Sequence, residues 1–193
     1  MQKQMVQTIE QAIRQLYPIS DRSFEQLTAL MQRQELPKGH ILFREGQVSN
    51  KVFFIERGIA RAFCYRNDQE VTFWFGAESD LVFSYYSYVA NKPGYETVEL
   101  LENSVVQAMD LAQLQELYLT NIELANWGRK LAEYELIKTE ERFMVFQFQS
   151  ATERYKALLQ QNPALIQRVP LNQIASYLGV TQVTLSRIRA EVR

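Results

Sequence analysis

The sequence predicts an α+β chain: an antiparallel double-stranded β-helix (jelly roll) framed by helices, then a long helix and a compact helical end. Three observations predict it. Short runs rich in Val, Ile, Phe and Tyr follow Leu36, punctuated at Gly39, Gly46, Gly58, Asn67-Asp68 and Gly76 at spacings of about ten residues, the rhythm of a roll or barrel. After Asp110 a three-to-four-residue apolar period returns. The stretch "LNQIASYLGVTQVTLSRIRA", Leu171 to Ala190, then reads as two short helices bending at a glycine.

The elements follow in order. Two helices open the chain, over about 2–16 and about 21–33, with Ser20 or Ser23 as a cap for the second. Strands are expected in "LPKGHILFREG", "KVFFIERGIARAFCY", "QEVTFWFG" and "ETVELL…SVVQAMD". "SYYSYVANKPG" breaks their rhythm and reads as a short helix or loop set into the roll. Thr120 and Glu123 have capping-box spacing for the long helix, as Ser150 and Glu153 do for the next, which Asn162-Pro163 ends. Leu124, Trp127, Leu131 and Tyr134 form the long helix's apolar stripe, interrupted at "KTEER" and resumed at "FMVFQF".

Composition narrows the function classes. The 193 residues are 47% hydrophobic and 22% charged, as in soluble globular proteins. No apolar run approaches the ~18 residues of a membrane span. The N-terminus is amphipathic and carries acidic residues, so it reads as a surface helix and the cytoplasm as the location. A single cysteine, Cys64, excludes an internal disulfide and a four-thiolate cluster. One histidine, His40, argues against the metal-dependent enzymes built on such rolls, so neither catalysis nor a metal is expected. Net charge is −1, unevenly spread: residues 151–193 hold six Lys or Arg against two acidic residues, and residues 1–150 hold fifteen against twenty. A basic end on an acidic body suits an anionic partner met at that end.

The terminal motif explains the charge. Ala175 is small where two helices cross, Gly179 is free to take positive φ in the bend, and Ile174, Leu178, Val180, Leu185 and Ile188 form the wedge between them. Thr181 stands where the second helix needs an N-cap. Gln182, Thr184, Ser186, Arg187 and Arg189 are left for its outer faces. Arginine pairs bidentately with guanine in the major groove, while threonine hydroxyls and helix N-termini hold phosphate. Double-stranded DNA is the expected partner.

With this motif behind a glycine-punctuated roll and a long helix, the sequence resembles the Crp-Fnr family of bacterial transcription regulators over nearly its whole length. "LPKGHILFREGQVSNKVFFIERGIARAF" is similar to the opening of that family's cyclic-nucleotide-binding-like roll. The resemblance implies a sensor roll over residues 1–118, a dimerisation helix over 119–149 and a winged helix-turn-helix over 150–193. It also implies homodimers on palindromic operators, with RNA polymerase as a further partner. The family's recognition pattern carries over as Thr181, Gln182 and Thr184, with Arg187 matching its base-reading arginine; Val183 replaces a glutamate that reads cytosine in many members. The wing normally follows the recognition helix, and no wing contacts are assigned in a sequence that stops at Arg193. The dimer interface is assigned to Leu124, Trp127, Leu131 and Tyr134, a stripe that equally suits packing on the roll.

The sensor departs from the pattern. Cyclic-nucleotide binders of the family carry a Gly-Glu in the turn here written Ser79-Asp80-Leu81-Val82-Phe83-Ser84, and an arginine about ten residues on that neutralises the phosphate. Phe83-Ser84 replaces the Gly-Glu, and Lys92 is the only cation between Ser84 and Asp110. A buried phosphate without a guanidinium is costly, so cyclic AMP is not expected as effector and no cofactor is assigned. Trp74, Phe83, Ser84, Tyr85, Tyr86 and Tyr95 remain as lining for an apolar or planar effector, or as roll core. The competing function is a ligand-sensing or protein-interaction module whose DNA-binding end is vestigial.

Overall fold

The computed structural model describes residues 7–192. Helix α1 (Ile9–Leu16) starts at a capping box made by Thr8 and Gln11, and α2 (Asp21–Thr28) at Ser20. Of the opening helix expected over about 2–16, residues 2–6 lie outside the described residues, while Gln7 and Thr8 precede α1 and do not join it. The second stops at Thr28, five residues early, because Gln32–Leu36 forms strand β1, antiparallel to β8. Its sequence QRQEL lacks an apolar alternation because it lies at a sheet edge.

The remaining strands are β2 (Ile41–Phe43), β3 (Lys51–Arg57), β4 (Ala60–Arg66), β5 (Gln69–Gly76), β6 (Leu81–Val82), β7 (Thr97–Leu100) and β8 (Ser104–Asp110). They form two four-stranded sheets, ordered β1-β8-β3-β6 and β2-β7-β4-β5, the two layers of a jelly-roll-like fold. Asn67 and Asp68, at φ 51° and 60°, make the tight β4–β5 turn that their residue types announce. Helix α3 (Tyr85–Ala90) interrupts the strands where expected.

Strand β3 shows how the roll binds its helices. Val52, Phe53, Phe54 and Ile55 are all buried, a run readable only if both faces are covered. Val52 and Phe54, on one face, pack with Met109 of β8 against Ile13, Ile19 and Leu27. The same cluster takes in Leu111 and Leu114 of α4 (Leu111–Thr120) and Leu124, Trp127 and Leu131 of α5 (Ile122–Phe148). Trp127 is 1% exposed, and its indole N–H donates to the Ile13 carbonyl at 3.1 Å.

Helix α5 starts two residues after Thr120, but its cap is Asn121, whose Oδ1 accepts from the Glu123 and Leu124 N–H groups. Glu123 instead accepts from Ser20, from the backbone N–H at 2.9 Å and the hydroxyl at 2.7 Å. Hydrogen bonds from Ser23 and then Ser20 lower its pKa from 4.5 to about 2. A depressed carboxylate stabilises the fold above its unfolded pKa, and that contribution is lost as pH falls from about 4.5 to about 2. Glu123→Gln should flatten the decline of thermal stability across that window, measured by circular dichroism melts at each pH; an unchanged slope refutes the assignment.

The chain divides into two compact units. The first holds the residues up to Arg61 and Phe75–Tyr134; the second holds Ala62–Trp74 and Glu135–Arg193. Helix α5 is continuous through "KTEER" and contributes to both. The second unit adds α6 (Ala151–Gln161), with the capping box of Ser150 and Glu153, and α7 (Pro163–Arg168), which Asn162 caps. It ends with α8 (Leu171–Tyr177) and α9 (Gln182–Glu191). Within this unit the Ser176 hydroxyl accepts from the Thr72 N–H at 2.9 Å and donates to the Glu70 carbonyl at 3.0 Å, both on edge strand β5. Among the described residues no helix is long and apolar enough to cross a membrane, and no cluster of His, Cys, Asp and Glu has the makings of a metal site.

Candidate nucleic-acid interface and sensor cassette

Helix α8 ends on Gly179 at φ +68°. The Gly179 N–H donates to Ser176 and the Val180 N–H to Ala175, the paired bonds of a Schellman turn that needs a left-handed residue at this place. Arg154 fixes the turn: its Nε and Nη2 donate to the Leu178 carbonyl at 3.2 and 2.9 Å, and Nη1 to Gln149 at 2.7 Å. Its guanidinium lies 4.9 Å from the centre of the Phe146 ring. Ile174, Ala175, Leu178, Leu185 and Ile188 are buried, so the wedge expected from sequence is the core between α8 and α9; Val180 is half-buried.

The outer residues of α9 have distinct tasks. Thr181 accepts from the Thr184 N–H at 3.2 Å and so acts as the cap. Ser186 donates to the Gln182 carbonyl within its own helix at 3.0 Å. Thr181, Gln182, Thr184, Ser186 and Arg187 are exposed, and Arg189 is half-buried. Neither Arg187 nor Arg189 forms an ion pair or side-chain hydrogen bond among the described residues. Their guanidinium groups are therefore available to an external anion or base edge.

The stripe assigned to a dimer lies elsewhere than expected. Leu124, Trp127 and Leu131 are 0%, 1% and 8% exposed, facing the sheet β1-β8-β3-β6 and α1, because the roll's helix-side face needs an apolar cover. Tyr134 is 47% exposed. The exposed apolar residues of α5 come later: Leu136, Ile137, Phe143, Met144 and Phe148 occupy one broad face of its C-terminal half.

The sensor residues also separate. Phe83 stacks on Tyr85 and Tyr88, with centroids at 4.7 and 4.9 Å, while Tyr86 and Tyr95 form an exposed edge-to-face pair at 5.7 Å. Ser84 is buried. Trp74 belongs to the second compact unit, whereas the other five belong to the first. Tyr88 shares a hydroxyl–hydroxyl contact of 3.3 Å with Tyr118, and burial raises the pKa of both. Lys92 and His40 are exposed. Sequence reading missed Arg61, 3% exposed, whose Nε and Nη2 donate to Glu99 Oε1 at 3.0 and 2.5 Å. It also missed Gly94 and Glu96, both buried. The sequence alone does not mark them, because the inward face from Gly94 to Leu100 includes the charged Glu96 and so shows no clean apolar alternation.

Residues 33–121 match the cyclic nucleotide-binding domain family. FixK2 from Bradyrhizobium japonicum has a similar fold, with a TM-score of 0.72 at 16% identity over 84% of each chain. So has CLP, the c-di-GMP responsive global regulator of Xanthomonas campestris, with a TM-score of 0.66 at 15% identity over 90% of this chain and 91% of that one. The catabolite activator protein of Thermus thermophilus gives 0.59 at 17% identity, covering 94% and 86%. None of the curated proteins matches the sequence. The roll is thus similar to cyclic nucleotide-binding domains over residues 33–121. The chain shares its fold with solved regulators that include a member of the Crp-Fnr family, the family its sequence resembles.

Proposed function

We propose that this chain is a sequence-specific DNA-binding transcription regulator of the Crp-Fnr type, a cytoplasmic homodimer that reads a palindromic operator with α9. The observation that carries the reading is the outer face of α9, where Gln182, Thr184 and the unpaired Arg187 are exposed on a rigid Schellman-turned helix pair in the basic part of the chain. This α8–α9 pair is read as the helix-turn-helix, α9 entering the major groove with Thr181 at the phosphate-facing N-terminus. RNA polymerase as a further partner rests on the resemblance, and no catalytic role is assigned.

The homodimer is proposed on the C-terminal half of α5. An exposed apolar face of this breadth marks an interaction surface, and a two-fold partner would place two recognition helices ~34 Å apart, one turn of DNA. Charging that face tests it. Ile137→Glu with Met144→Glu should convert a dimer to a monomer in sedimentation velocity without loss of helix content; a dimer that persists removes the surface from consideration.

Cyclic AMP is not proposed as the effector. Between Ser84 and Asp110 the only cation is the exposed Lys92, and the buried Arg61 of the roll is paired with Glu99. Selection of bound duplexes from a random pool, repeated across salt concentrations, tests the main reading. A palindromic enriched site and a steep salt slope are expected; recovery of no preferred sequence at low salt refutes it.

A further inference from the structure

Two oxygen-bearing side chains inside the roll cassette have no partner among the described residues. Ser84 is 2% exposed and stands at the N-cap of α3, yet its hydroxyl makes no capping bond and has no hydrogen-bond partner. Serine at this place ordinarily accepts from the helix N–H groups. Glu96 is 7% exposed, and its carboxyl group forms no hydrogen bond or ion pair among the described residues. Gly94, Glu96, Val98 and Leu100 are buried while Tyr95, Thr97 and Glu99 are more open, so Glu96 lies on the inward face with the core residues of β7. The Ser84 oxygen is enclosed and unpartnered among the described residues, which costs stability and needs a reason other than packing.

The two side chains converge at Gly94. A Cβ built there would lie 2.5 Å from Ser84 Oγ and 2.9 Å from Glu96 Oε1, so any other residue would crowd the space both oxygens face. A carboxylate only accepts hydrogen bonds, and a hydroxyl can join it as a second acceptor. Convergent acceptors repel a phosphate and suit a group that is cationic and rich in N–H.

The geometry points to a ligand site in the roll for a small molecule bearing an ammonium group, which donates to Ser84 Oγ and to the Glu96 carboxylate. This inference rests on the reading of the roll as an effector domain and reverses the charge of the expected effector.

The test is calorimetric titration of the full chain, at fixed ionic strength, with 2-phenylethylamine, its neutral counterpart 2-phenylethanol, and cyclic AMP. The amine alone should bind saturably, and Glu96→Gln and Ser84→Ala should each weaken it at least tenfold while the circular dichroism spectrum is kept. Glu96→Gln should also raise the melting temperature of the ligand-free chain, which a carboxylate with a purely structural role would not do. Should Glu96→Gln fail to fold, Gly94→Ala places a methyl group between the two oxygens and should abolish amine binding. Equal binding of amine and alcohol, amine affinity unchanged in the variants, or no saturable amine binding overturns the site. Binding of cyclic AMP that Ser84→Ala weakens overturns the ammonium chemistry and leaves the effector reading standing. Silence from all three probes, with operator affinity unmoved by each, removes both.

Discussion

Arg187→Ala should lower operator affinity by about 10- to 100-fold, corresponding to the ~1–3 kcal/mol of one bidentate base contact, and relax the preference at a single base pair in each half-site. Fluorescence anisotropy at fixed salt measures it, with the selected duplex and a scrambled one side by side. The side chain is exposed and has no partner within the described chain, so truncation should leave the fold unchanged. This separates base reading from electrostatic attraction: a phosphate contact would weaken both duplexes alike and reduce the salt slope. Unaltered affinity for every duplex would favour an interaction module over a DNA reader.

Trp127→Ala should be the most destabilising single change in the first compact unit, by about 3–5 kcal/mol as for large-to-small substitution of a buried aromatic residue. The ring is 1% exposed, packs 6.3 Å from the Phe54 ring between centroids, and satisfies the Ile13 carbonyl with its N–H. Alanine leaves both a cavity and an unpaired carbonyl. Trp127→Phe keeps most of the volume and should lose less. Urea denaturation followed by circular dichroism decides it, and a loss below about 1 kcal/mol for alanine would contradict the packing described.

The roll was legible because its signals are local. Glycines and the Asn67-Asp68 pair fix turns by their own backbone freedom, and "KVFFI" declares a strand covered on both faces. Strand β1 was illegible because an edge strand needs no apolar alternation, and QRQEL shows none. The stripe Leu124–Leu131 was legible as an apolar face but not by what covers it. Periodicity reveals that a helix has a side to hide; only the fold says whether the roll or a second chain hides it. In the cassette the lack of an arginine between Ser84 and Asp110 could be read directly. The convergence of Ser84 and Glu96 on Gly94 could not, because it depends on one hydroxyl declining its usual cap and on a glycine between them.

The hydroxyl of Ser176 has a consequence for solubility. A strand at the border of a sheet offers its backbone to any extended polypeptide nearby, the first step toward fibrous association. Here a single side chain from a helix occupies a donor and an acceptor of β5 at once. The chain thereby guards its own margin against foreign strands, at a spot where neither proline nor lysine does so.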